Sequence, residues 1–125
     1  MNALVVDDDP QVRTLVARVL LDAGFSPSQS ATADEGIELL MGCPRDLRLL
    51  VTDVSMPGTL DGIDLAAFAV RSMPEVAVVV MSGSLDTETR ARIPEGVLAV
   101  LSKPFSLGEF ARLACGASAA PPGLA

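Results

Sequence analysis

The chain has 125 residues, 50% of them hydrophobic, and no Trp, Tyr or His, a length that suits one domain able to bury roughly two-thirds of its unfolded surface without metal or disulfide staples. Its 16 acidic against 9 basic residues give a formal charge of -7, which argues against a nucleic-acid backbone or an anionic membrane as the main partner and favours cations and basic protein surfaces. Cys43 and Cys115 match no CxxC or secreted-scaffold spacing and are read as reduced, mostly buried residues of a cytoplasmic protein; the start, MNALVVDDDP, lacks the basic region of a signal peptide, and no stretch approaches the ~18 apolar residues of a membrane span.

Ala3 to Val6 is the first hydrophobic run, and near-continuous Val and Leu are what a strand buried on both faces requires. From Pro10 to Ala23 a helical period places Val12, Leu15, Val16, Val19 and Leu20 on one side, with Arg13 and Arg18 off it. Asp9 or Pro10 opens this helix and Gly24 closes it. Phe25 to Ala31 is a weaker strand candidate, and Thr32 to Met41 follows as a helix with Ile37, Leu40 and Met41 inward and Gly42 as its terminator. Leu47 to Val51 is the third strand; Leu60 to Met73 is a helix carrying Ile63, Leu65, Ala66, Phe68 and Ala69, stopped by Pro74. Val76 to Met81 supplies a fourth strand, Asp86 to Arg92 a short polar helix and Val97 to Leu101 the last strand. Ser106 to Gly116 ends the series as a helix, with Glu109 in capping-box spacing and Leu107, Phe110, Leu113 and Ala114 at apolar positions.

Five strand and five helix candidates thus alternate with short connections. Each parallel crossover needs its own helix and the crossovers share one hand, so the pattern predicts an α/β fold, a doubly wound five-stranded parallel sheet with helices on both faces. The domain is expected over residues 1–117, with residues 118–125, small and proline-rich, as a flexible tail or linker stub.

In such a sheet, ligands bind outside the carboxyl ends of the strands, so the polar residues ending the hydrophobic runs converge. The first strand delivers Asp7, Asp8 and Asp9, the third Asp53, the fourth Ser82, and the fifth Lys103, the only lysine in the chain. Carboxylates crowded together repel, a cost that a bound cation compensates. Oxygen ligands without Cys or His point to a hard ion, Mg2+ or Mn2+. An Asp can itself be phosphorylated as a nucleophile, with a metal and an ammonium neutralising charge on the phosphoryl oxygens and a hydroxyl contacting one more. Asp53 as nucleophile, Asp8 with Asp7 at the metal, Ser82 and Lys103 fill those roles. Asp9 suits a helix-opening role better than a ligand role, since carboxylates favour a helix N-terminus. Met56, Met73 and Met81 read as gap-fillers, and Phe105 as packing.

VVDDDP, LLVTDVSMPGTLDG, VVVMSG and LSKPF, in this order and spacing, resemble the receiver domain of two-component response regulators over about residues 3 to 116. The resemblance implies a flavodoxin-like sheet in the order 2-1-3-4-5 and phosphorylation of an Asp by a histidine kinase or a histidine phosphotransfer protein, with Mg2+ (or Mn2+) required. It places the metal-binding acids on Asp7 and Asp8, the phosphoacceptor on Asp53, a metal-binding backbone carbonyl on Ser55, the hydroxyl on Ser82 and the lysine on Lys103. Pro104 is expected after a cis bond, and Asp61 and Gly62 match the DG after an acceptor loop one residue longer than in the simplest members. Three residues before the lysine, many members carry a Tyr or Phe that swings inward on activation; this chain has Val100. Output is therefore expected without an aromatic switch, through the Ser82–Ser84 loop containing Gly83, the Asp86–Arg92 helix and the Pro57–Asp61 loop.

The resemblance further implies weak self-catalysed phosphorylation and dephosphorylation and a downstream protein target; the acidic charge argues against direct contact with nucleic acid or membrane, and with no strong exposed apolar patch in the sequence a monomer is expected when unphosphorylated. Three alternatives stay open at this level. One is a degenerate receiver acting only as a protein-interaction module, and another is the receiver of a hybrid histidine kinase. The third is a magnesium-dependent Asp-nucleophile phosphatase, against which Ser55 stands where an acid/base Asp is usual.

Overall fold

The computed structural model describes residues 1–42, 46–56 and 58–119. Cys43, one of the two cysteines expected to be buried, and Pro57, in the proposed output loop, lie outside the described residues. Strands and helices alternate: β1 (Asn2–Val6), α1 (Pro10–Asp22), β2 (Ser26–Ser30), α2 (Ala33–Met41), β3 (Leu47–Asp53), α3 (Gly62–Ser72), β4 (Ala77–Ser82), α4 (Thr87–Arg92), β5 (Ala99–Ser102) and α5 (Leu107–Ala119). All five strands are parallel, in the order β2-β1-β3-β4-β5.

The apolar runs divide by parity into two cores. Val5, Leu49, Val51, Val79 and Met81 pack with Val16, Leu20, Phe110 and Ala114 under α1 and α5. Leu4, Val6, Leu50, Val78 and Val80 pack with Leu40, Ile63, Leu65 and Ala66 under α2 and α3. A strand alternates its side chains between faces, so a run buried on both sides loses the polar-apolar alternation of a one-faced strand. The edge strand β2, SPSQS, is mostly exposed apart from Ser30. An edge tolerates Pro27 and these serines because one side of its backbone has no ladder to complete, which explains its weak sequence signal.

Several boundaries and orientations differ from the sequence reading. Helix α3 begins at Gly62, two residues later than expected, because Asp61 is its N-cap: its carboxylate accepts from the N–H groups of Ile63 and Asp64, while Asp64 accepts from the N–H of Asp61. Strand β5 starts at Ala99 rather than Val97, after Gly96 turns the chain with a φ of 100°. Helix α5 continues beyond Gly116 to Ala119.

Met41 is exposed, not inward: the buried positions of α2 are Ala33, Gly36 and Leu40, and one residue past Leu40 is a rotation of about 100° away. Cys115 is likewise an exposed free thiol rather than a buried one, since it follows Ala114 while Phe110, Ala114 and Ala117 form the inward stripe of α5. Leu15 and Leu107, expected inside, are also exposed; they line an open cleft between α1 and the start of α5. Met81 is buried, Met56 and Met73 are partly buried against the α2–α3 core, and Phe105 packs on Phe110 with ring centroids 5.9 Å apart. No helix among the described residues is long and apolar enough to cross a membrane.

Candidate functional site at the carboxyl edge of the sheet

The strand order reverses at β1 and β3, which lie side by side although α1, β2 and α2 intervene in sequence. Their carboxyl ends therefore open the crevice where parallel sheets bind ligands. Asp7 directly follows β1 and Asp53 is the last residue of β3. Asp7, Asp8 and Asp53 each offer a carboxylate oxygen within 4.8 Å of the others. Asp7 and Asp53 are buried and Asp8 is exposed at the mouth.

Lys103 reaches this cluster from the end of β5. Its Nζ donates to Asp7 Oδ2 at 2.9 Å and lies 3.3 Å from Asp53 Oδ2. The ladder sets that reach, since the Lys103 N–H donates to the Ser82 carbonyl at 2.7 Å. The Lys103–Pro104 bond is cis, as expected. Burial is the largest influence on the Asp53 carboxyl and raises it above the usual carboxylate value. The charge of Asp7 adds to the rise, and Lys103 with the Val54 N–H only partly offsets it. Burial also works to lower the Lys103 ammonium, but its hydrogen bond to Asp7 and the Asp53 and Asp7 charges prevail, holding it above the usual lysine value. Two buried carboxylates thus share one ammonium, with the exposed carboxylate of Asp8 beside them. Their residual negative charge and all-oxygen donor set fit a hard divalent cation, and the cluster is compatible with one.

The remaining predicted residues fall around this centre. Asp9 is the N-cap of α1, its carboxylate accepting from the Gln11 N–H at 2.9 Å, while its own N–H donates to Asp7 Oδ1. Ser55 is exposed at the head of the β3–α3 loop. Ser82 ends β4 one residue past Met81, the partner of Asp53 in the ladder. Its buried hydroxyl is engaged locally: Oγ donates to the Ser84 carbonyl at 2.7 Å and accepts from the Ser84 N–H at 3.1 Å. Gly83 and Ser84 are exposed in the loop leading to α4. Val100 is half-buried in β5 opposite Val80, a short branched side chain with no ring to swing.

Of the groups that hold this centre in place, sequence reasoning missed Arg13 and Thr52 and named Gly62 and Asp61 only as a motif. Arg13, noted only as lying off the apolar face of α1, donates from Nη1 to the Asp7 carbonyl at 2.9 Å and from Nε to Gln29 Oε1 at 3.3 Å. A basic residue one turn into the helix after an acidic loop is the signal that could have found it. Thr52 Oγ1 donates to the Asp53 carbonyl at 3.0 Å. Gly62 packs so closely on that carbonyl that a Cβ there would overlap it. At the far end of the acceptor loop, Asp61 also pairs with Arg92 of α4 at 2.8 Å. Burial works to raise the Asp61 carboxyl, but the Asp64 N–H and Arg92 outweigh it and hold it below the usual range.

Comparison with known proteins agrees with this architecture. A family described as the response regulator receiver domain matches residues 3–114. The nitrogen assimilation regulatory protein NtrX of Azorhizobium caulinodans is 36% identical over 107 residues, 84% of this chain but 23% of that protein. The chain thus spans under a quarter of the length of that relative. An uncharacterized 14.6 kDa protein of Leptolyngbya boryana is 35% identical over 118 residues, covering 90% of this chain and 86% of its own length. The crystal structure of the receiver domain of NtrX from Brucella abortus superposes with a TM-score of 0.78 at 32% identity, covering 92% of this chain and 96% of that one. With a parallel sheet in the order 2-1-3-4-5 and an acid–lysine cluster at its carboxyl edge, this chain belongs to the family of response regulator receiver domains.

Proposed function

We propose that the chain accepts a phosphoryl group on Asp53 from the phosphohistidine of a histidine kinase or phosphotransfer protein, with Mg2+ bound by Asp7, Asp8, Asp53 and the Ser55 backbone carbonyl. The observation that carries this reading is the meeting of Asp7 and Asp53 in one crevice, 2.9 and 3.3 Å respectively from the Lys103 ammonium. A carboxylate oxygen of Asp53 attacks phosphorus; the P–N bond breaks as the P–O bond forms, and the leaving imidazole takes a proton from solvent. A bound divalent cation would supply neutralising charge to the phosphoryl oxygens. Lys103 pairs with an oxygen of the transferred group, which relieves its competition between Asp7 and Asp53. Ser82 contributes its hydroxyl only after exchanging its bonds to Ser84, so phosphorylation pulls on the loop that leads into α4. Hydrolysis reverses the state: water attacks phosphorus, the acyl-phosphate P–O bond breaks, and inorganic phosphate leaves with the Asp53 carboxylate restored.

The donor has a place to sit. A cleft of about 410 Å3 lined by Val12, Leu15, Val16, Pro104, Phe105 and Leu107 shares Lys103 with the crevice, so an apolar helix face of the donor docking there would present its phosphohistidine to Asp53. The unit that carries this activity runs from β1 through α5, and its output is a contact with a downstream protein.

Intact-mass spectrometry after incubation with a small phosphodonor and Mg2+, beside the variant Asp53→Asn, tests the reading. A gain of one phosphoryl group in the parent alone is expected. No gain in the folded parent with Mg2+ present would overturn it in favour of a module that acts only by protein contact.

A further inference from the structure

The β3–α3 loop, from Val54 to Asp61, carries the Ser55 carbonyl and must hold it beside Asp53. Exposed backbone with few buried side chains does not hold itself. Among the described residues, the loop is held at one end by buried Val54, along its length by Met56 and Leu60 against the α2–α3 core and at the other end by Arg92 on Asp61, and its turn is held by a further contact from far away in sequence. Asp34, in the first turn of α2, accepts a hydrogen bond at Oδ1 from the Leu60 N–H at 3.1 Å, across 26 residues. The same carboxylate lies against Gly58, which turns the loop with a φ of 119°: a Cβ there would stand 3.5 Å from Asp34 Oδ1 and 3.8 Å from Oδ2. Asp34 is therefore packed along the turn of the loop as well as bonded to its end. Helix α2 itself is fixed to the sheet, with Ala33, Gly36 and Leu40 buried and Thr32 capping it through the Glu35 N–H. A rigid helix thus extends one carboxylate to a loop that contains no regular structure among its described residues.

We infer that Asp34 is a positioning residue for the phosphorylation site: its carboxylate clamps the β3–α3 loop at Gly58 and Leu60, and so fixes the Ser55 carbonyl for the cation and the approach to Asp53. Asp34 touches neither the cation nor the phosphoryl group; it acts through the loop. This inference rests on the phosphoacceptor reading for its functional consequence, but not for the clamp itself. Groups that orient metal ligands from behind typically change metal affinity by about tenfold or more when removed. The loop is also the stretch joining Asp53 to α3, so its order bears on the rate of phosphoryl uptake as well.

The test compares the parent with Asp34→Ala, Asp34→Asn and Glu35→Ala. Glu35 is exposed on the same turn, so its replacement removes an equal charge without touching the loop. Two readouts are used: Mg2+ affinity by calorimetry, and amide exchange at Leu60 by NMR on the metal-free protein. For Asp34→Ala, faster exchange at Leu60 and about tenfold weaker Mg2+ binding are expected. Asp34→Asn keeps an acceptor oxygen and is expected to restore both, while Glu35→Ala is expected to match the parent. Phosphoryl uptake by mass should fall in Asp34→Ala and recover in Asp34→Asn. Unchanged Mg2+ affinity in Asp34→Ala, or no rescue by Asn, would overturn the inference. A parent that binds Mg2+ but takes no phosphoryl group would instead overturn the phosphoacceptor reading, and the exchange and affinity comparison would still decide the clamp.

Discussion

Replacing Gly62 with alanine isolates the packing that ties the acceptor strand to helix α3. A Cβ at this position would overlap the carbonyl oxygen of Asp53 and stand 2.6 Å from its carbonyl carbon and 2.9 Å from Thr52 Oγ1, where ordinary contact begins at 3.4 Å. All three obstacles are backbone or a buried hydroxyl bonded to that backbone, so no flexible side chain can move aside. The first turn of α3 must retreat, which also breaks the bond from the Gly62 N–H to the Val54 carbonyl at 2.9 Å. Overpacking costs about 1–3 kcal/mol and the lost hydrogen bond about 1 kcal/mol, against a gain of roughly 0.5 kcal/mol from a stiffer unfolded chain. The net is about 2.5 kcal/mol. With an unfolding entropy of ~2.1 cal/mol/K per residue, that corresponds to a fall in Tm of about 10 °C. The absence of Trp and Tyr makes far-UV circular dichroism the suitable readout. Gly83→Ala is the control, because a Cβ there meets nothing within 4 Å, and its Tm is expected to stay within about 3 °C of the parent. A fall of less than about 3 °C for Gly62→Ala would refute the claim that the Asp53 carbonyl is pinned by this contact.

Other substitutions probe the charges. Asp53→Asn is expected to raise Tm at neutral pH in the absence of divalent cations, because the raised Asp53 carboxyl makes its ionised form a burden on the folded state. The sign follows from proton binding: the folded state holds this proton more tightly than the unfolded one, so the advantage of Asn grows as pH rises through the carboxylate range and vanishes below it; melting curves from pH 3 to pH 7 with a constant difference would contradict this. Lys103→Met leaves the fully buried Asp7 without its ammonium and is expected to cost about 2 kcal/mol, less than a wholly buried pair because the lysine is partly exposed. Lys103 is raised above the usual lysine value, so its contribution holds across neutral pH and fades only as pH rises through its folded value; a Tm unchanged from the parent at pH 7 would count against the pair. Arg92→Ala breaks an exposed, solvent-screened pair with Asp61 and should leave Tm close to that of the parent. Asp61→Ala also removes the α3 cap and should cost about 1–2 kcal/mol at pH 7. Because Asp61 is held below the usual range, that cost shrinks as pH falls through its folded value, which urea unfolding at pH 7 and pH 3 would read.

Whatever depends on the order of residues along one element was legible in the sequence. The runs at Leu4–Val6, Leu49–Val51 and Val78–Met81 announce strands covered on both faces, and their alternation with amphipathic helices leaves a doubly wound parallel sheet as the natural solution. That topology brings Asp7, Asp53, Ser82 and Lys103 to one edge, because residues ending parallel strands share an edge whatever lies between them in sequence. Tertiary structure decided the rest. Leu15, Met41, Leu107 and Cys115 satisfy a helical pattern as well as their buried neighbours do, and only the packing of neighbouring elements selects which side of an apolar stripe meets the sheet. The Ser82 hydroxyl is a ligand candidate by position, yet its bonds to Ser84 belong to loop geometry. Arg13 on the Asp7 carbonyl, Gly62 against the Asp53 carbonyl and Asp34 on the Leu60 N–H have no periodic signature at all. They are contacts of a side chain, or of its absence, with main-chain groups of other segments, and backbone groups are the same in every residue, so a basic residue after an acidic loop or a DG pair can point to such a residue but not to the group it meets.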